Sequence, residues 1–132
     1  MAEFEWRDYF ELAIRLSANK DEASLRSAVS RAYYYVYHLA LARAESNGYN
    51  PTRESGSHID MWRVYLGNPV SECLKLGSIG ERMRKRRSDA DYRQTFPRLE
   101  EEVRGVLADA EQFADSLSKL DLRHPKQSSQ RR

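Results

Sequence analysis

Seven apolar residues, Leu99, Val103, Val106, Ala110, Phe113, Leu117 and Leu120, recur at alternating steps of four and three. That rhythm tracks one face of an α-helix, whose period is about 3.6 residues, and no strand of alternating side chains can present it. Glu100, Glu101 and Glu102 complement the positive start of such a helix. A helix this one-sided must bury its stripe against other elements, so the rest of the chain has to supply partners for it.

It supplies them in the same form. Trp6, Phe10, Ala13 and Leu16 make one stripe over residues 4–17, with Tyr9 and Leu12 widening it. Asn19 with Glu22 fits a capping box, and Asp21 competes as the N-cap of the next helix, expected over 21–45. There Leu25, Val29, Ala32, Val36 and Leu39 keep the stripe, and Tyr33, Tyr34, Tyr35, Tyr37 and His38 add aromatic groups on more than one face. A helix so covered is central to its bundle or lies at a subunit contact. Residues 46–51 form a strong stop with Gly48 as a left-handed cap, and the polar segment to Ser57 is expected to be mobile. A short helix over 58–66 points Ile59, Trp62 and Leu66 inward. Asn68 is placed to cap a fourth main element over 69–92, with Pro69 in its first turn. Its inner stripe is Cys73, Leu76, Ile79 or Gly80, Met83, Arg87 and Ala90, and Gly77 and Gly80 allow close packing against the aromatic second helix. Thr95 and Pro97 open the last helix. The chain is thus expected to be all-α, a bundle of four main helices plus a short inserted helix. The bundle is assigned to residues 1–120, and 121–132 to a disordered basic tail.

Composition narrows the function. At 132 residues the chain is one domain, and a net charge of +2 excludes a global polycation, so nucleic-acid binding needs local clustering. Cys73 is the single cysteine, which excludes an internal disulfide and makes a reduced, cytoplasmic setting the expectation. No apolar run approaches membrane-spanning length, and the acidic, aromatic start is unlike a signal peptide. Glycine-rich phosphate loops, zinc-ligand spacings and nucleophile elbows are absent from the sequence, and His38, His58 and His124 are far apart in it. No metal or cofactor is expected.

Arg87 is the oddest placement. It lies four after Met83 and three before Ala90, where the stripe asks for a core residue. Burying an unpaired guanidinium is costly, so Arg87 needs a partner, a wet cleft or an anionic ligand. Asp91, four residues on, can form a structural ion pair with it, and periodicity alone favours that reading. The alternative is the floor of a site for a phosphate backbone. Five of the six residues from Arg82 to Arg87 are basic, so Arg82, Arg84, Lys85 and Arg86 are either a solvated face or a footprint for RNA or DNA phosphates.

Two stretches together resemble the HEPN superfamily of small helical proteins. Ser30-Arg31-Ala32-Tyr33-Tyr34-Tyr35-Val36-Tyr37-His38 is similar to the aromatic second helix of its short, stand-alone members. Arg87-Ser88-Asp89-Ala90-Asp91-Tyr92 is similar to the family's Arg-Asn-x-Ala-Asp-Tyr ending. The resemblance implies an up-and-down, homodimeric bundle, and in catalytic members a metal-independent ribonuclease with its site in a cleft between two protomers. Arg87 would hold the scissile phosphate, Ser88 would orient it, and the substrate's own 2′-hydroxyl would attack. At the motif's histidine position this chain has Tyr92, and a phenol with an ordinary pKa near 10 is a poor base at neutral pH. His38 would rescue the acid–base chemistry if the fold brings it near Arg87. Two functions follow from the resemblance: an RNA-directed protein of a toxin–antitoxin or defence system, or a non-catalytic interaction module that binds a partner such as a nucleotidyltransferase.

Overall fold

The computed structural model describes residues 2–51 and 57–127. They form α1 (Arg7–Ala18), α2 (Glu22–Ser46), α3 (Ser57–Leu66), α4 (Ser71–Tyr92) and α5 (Leu99–Lys119), with no strand among the described residues. The architecture is the expected all-α bundle, four main helices with α3 as the short insert. Residues 52–56 of the segment expected to be mobile lie outside the described residues.

α2 is the axis of the bundle and packs on α1, α3, α4 and α5. Its sequence explains why. Leu25, Ala28, Val29, Ala32, Tyr33, Tyr35, Val36, Tyr37, Ala40 and Ala44 are all buried, so apolar side chains cover most of its circumference. Alanines at 28, 32, 40 and 44 leave room for neighbours, while the tyrosines fill the wider gaps. On α5 the stripe lands as spaced: Val103, Val106, Ala110, Phe113 and Leu117 are buried and Leu99 is half-buried.

α3 is rotated from expectation. Met61, Trp62 and Tyr65 face inward, while Ile59 and Leu66 are half-buried. Trp62 settles this, because it seats its ring on Gly80 of α4. A Cβ built at Gly80 would stand 2.3 Å from that ring, and one at Gly77 would stand 2.9 Å from Leu66. The two glycines therefore admit α3, and not the aromatic α2 as the sequence led us to expect.

The helix starts also sort themselves out. Asp21 wins over Asn19 as the α2 cap, accepting from the Ser24 amide at 3.0 Å, which holds its carboxyl below the usual range. Asn68 bonds the Val70 amide at 3.1 Å in a local turn, so α4 begins at Ser71 and Pro69 stays outside it. Arg98 takes a left-handed conformation at φ 54°, which delays α5 to Leu99 and leaves Thr95 and Pro97 in the connection.

Two arginines of α2 close the ends of other helices. Arg26 donates to the carbonyls of Ala90, Arg93 and Gln94 at 3.0, 2.6 and 3.2 Å, capping the end of α4. Arg43 donates to the carbonyl of Leu117 in the last turn of α5 and to those of Leu120, Asp121 and His124 beyond it. The last four carbonyls of a helix lack internal donors, and a guanidinium satisfies several at once. Arg43 thereby fastens residues 121–127, assigned from sequence to the tail, against the bundle. Pro125 is buried there, and Asn47 and Asn68 bond the carbonyls of Leu122 and Lys126. The rest of that segment, 128–132, lies outside the described residues.

Candidate functional site

The stripe of α4 carries Arg87 into the bundle, where α2 presents its tyrosines. Its side chain is only 14% exposed. The guanidinium carbon lies 5.4 Å from the centre of the Tyr33 ring and 5.5 Å from that of Tyr34. Aromatic faces attract a cation without neutralising it. Asp91 stands 3.6 Å from Nη1, an ion pair beyond hydrogen-bond length. The Nε of Arg87 is buried with no hydrogen-bond partner among the described residues. An unsatisfied buried donor costs about 1–3 kcal/mol, so the group is held short of acceptors.

Beneath it runs a hydrogen-bonded aromatic chain. Trp62 Nε1 donates to the Tyr33 hydroxyl at 3.0 Å, and that hydroxyl is 2.8 Å from His58 Nδ1. Indole nitrogen is only a donor, so the Tyr33 oxygen accepts from Trp62 and bonds His58 Nδ1 through its own proton or its second lone pair. His58 is neutral at pH 7. Burial, then the Arg87 charge, push it down to about 4. Its ring stacks on Tyr37 at 4.0 Å and meets the edge of Tyr34. Burial pushes the Tyr33 phenol well above its ordinary value. His58 was not selected from sequence, where it follows a featureless polar loop and carries no local signal.

The other expected site residues scatter. His38 stacks flat on Trp6 with ring centres 3.5 Å apart, and burial lowers its pKa. It approaches the Arg87 neighbourhood through Tyr34 and Tyr37, 6.4 and 5.3 Å away between ring centres. Ser88 is half-buried on α4. Tyr92 is 78% exposed at the end of α4, five residues beyond the nearly buried Arg87. The basic run largely acquires protein partners. Arg82 forms a two-pronged pair with Asp109 of α5, Arg86 pairs with Glu102 of α5 at 2.7 Å, and Arg84 pairs with Glu81. Lys85 is exposed.

A cleft of about 540 Å³ opens elsewhere, between α3 and the C-terminal segment, and contains none of these residues. Among the described residues no three His, Cys, Asp or Glu side chains converge as metal ligands. No helix among them is long and apolar enough to cross a membrane. What the Arg87 cluster offers chemically is a guanidinium on an aromatic floor, short of acceptors, beside a single shared carboxylate.

Over 94 residues, 71% of this chain and 69% of the relative, the sequence is 34% identical to "Putative toxin MJ0605" of Methanocaldococcus jannaschii. The chain belongs to the MJ0605 family. No protein-family model and no solved structure matches it. For a member of the MJ0605 family the geometry puts Arg87, Tyr33, Tyr34, His58 and Asp91 together, and leaves His38 at their margin and Tyr92 outside.

Proposed function

We propose that this protein is a toxin-type, RNA-directed protein of HEPN kind whose Arg87 receives a backbone phosphate. The observation that carries the reading is the state of the Arg87 guanidinium: nearly buried, seated on Tyr33 and Tyr34, with Nε unpartnered among the described residues and Asp91 at 3.6 Å. A phosphate oxygen on the solvent-facing part of the guanidinium would give it a closer acceptor than Asp91. The family name of the relative supports a toxin, and its usual counterpart would be an antitoxin, such as a nucleotidyltransferase.

Cleavage on this reading is metal-independent. The substrate 2′-hydroxyl oxygen bonds to phosphorus, the bond to the 5′-oxygen breaks, and a cyclic phosphate and a 5′-hydroxyl result. Arg87 neutralises the charge gathering on the phosphoryl oxygens, with Ser88 beside it. The proton transfers need a group from outside this neighbourhood. His58 Nδ1 is occupied by Tyr33, His38 lies under Trp6, and Tyr92 points to solvent. The resemblance implies a homodimer, and on this reading the second copy would supply the missing group.

The exposure of Tyr92 and the absent motif histidine favour a second reading, the non-catalytic module that holds a partner protein through the end of α4. RNA cleavage in EDTA by the purified protein, with Arg87→Ala in parallel, separates the two. Cleavage that the variant loses supports the ribonuclease. Intact RNA with both proteins, across varied substrates, overturns it in favour of the module.

A further inference from the structure

Arg31 sits one turn before Tyr34 on α2 and makes an arrangement like that of Arg87. Its guanidinium carbon is 4.6 Å from the Tyr9 ring and 5.2 Å from the Tyr34 ring. Arg31 Nη2 donates to the Ser30 hydroxyl at 3.4 Å, and that hydroxyl bonds Asp91 Oδ2 at 3.4 Å. The same Asp91 oxygen faces Arg87 Nη1. Two guanidiniums therefore flank one tyrosine ring and share one carboxylate, Arg87 directly and Arg31 through a hydroxyl. By contrast Arg82, Arg84 and Arg86 each own a carboxylate. One positive charge is left over beside Tyr34, fixed in orientation by ring faces that cannot neutralise it.

We propose that Arg31 is a second phosphate-binding residue, acting with Arg87 around Tyr34 on the phosphoryl groups of a nucleic-acid strand. This rests on reading Arg87 as an anion site. Tyr9 and Tyr34 hold the Arg31 plane so that its N–H edges stay available for a phosphoryl oxygen, and Ser30 keeps Asp91 from closing on it. Arg31 thus joins α2 to the motif on α4.

The test is an NMR titration of the full chain with inorganic pyrophosphate, following the arginine Nε–Hε signals. Arg31 and Arg87 are expected to shift along one common curve. Arg31→Gln should weaken binding roughly tenfold, the loss of one charge-assisted hydrogen bond, with Arg31→Lys in between. A shift at Arg87 alone makes Arg31 a packing residue and overturns the proposal while sparing the Arg87 reading. No shift at either residue overturns both. Shifts at both with no binding of 2′-O-methylated RNA leave the paired anion site standing and sink the RNA reading. Because the wild-type titration decides first, a variant that fails to fold does not remove the test.

Discussion

His58 is locked in its neutral form by its surroundings. Its Nδ1 bonds the Tyr33 hydroxyl, which accepts from Trp62, while burial and then the Arg87 charge disfavour the protonated ring. In the unfolded chain this histidine binds its proton near 6.5, in the folded protein only near 4. Between those values the unfolded state holds more protons, so stability is full above about pH 6.5 and falls as the pH drops toward 4. His38, shifted the same way by burial, adds to the fall. Thermal melts from pH 8 to 4 should show this decline, and His58→Gln should flatten it. A melting temperature indifferent to pH in that window would contradict the proposed lock. Glycines offer a second contrast. Gly80→Ala drives a methyl into the Trp62 ring and should destabilise by about 3 kcal/mol. Gly105→Ala, at a site with nothing within 4 Å, should stabilise by about 0.5–1 kcal/mol in denaturant unfolding. That Gly80 serves close packing was legible in the sequence. Its partner was not, because the register of α3 depends on where Trp62 lands.

Among elements, the helices were readable wherever one apolar stripe outweighed local signals, most fully in α5. The ends were less so, and for a physical reason. A cap seen in sequence is a side chain next to the terminus it serves, whereas α4 and α5 are closed by Arg26 and Arg43 from α2. On a helix an arginine in sequence looks like any solvated charge. Arg26 is 17% exposed and binds three carbonyls at the end of α4. Arg26→Ala should therefore cost about 1–3 kcal/mol, since it strands partly buried acceptors. Hydrogen exchange should quicken in the last turn of α4, around Asp91, and stay unchanged in α3. Uniform quickening across the bundle would show that the cap serves the whole fold and not this terminus.

At the scale of the molecule, the basic run joins α4 to α5 through Arg82–Asp109 and Arg86–Glu102. The sequence showed the cluster and the acidic start of α5 separately, and only the packing of the two helices made them partners. With net charge +2 and these three arginines matched, what the run itself still offers is Lys85 and Arg87, with Arg31 beside them. If RNA binds through two phosphate contacts, the affinity should fall with salt at a log–log slope of about −1.4, against about −3.5 for five contacts. Binding isotherms between 50 and 300 mM salt, each value on the order of a routine assay, decide between them.

The two arginines of α2 also bear on the order in which the chain assembles. Arg26 reaches across 67 residues to Arg93, and Arg43 across 81 to His124. Latches that long close only after the helices they span have formed and docked, since the loop must be shut before the contact rewards it. They belong to the final step of folding and so lie on the native side of its barrier. Their loss should leave the folding rate nearly untouched and hasten unfolding. The protein's lifetime in the folded state, more than its speed of reaching it, is what these two side chains set.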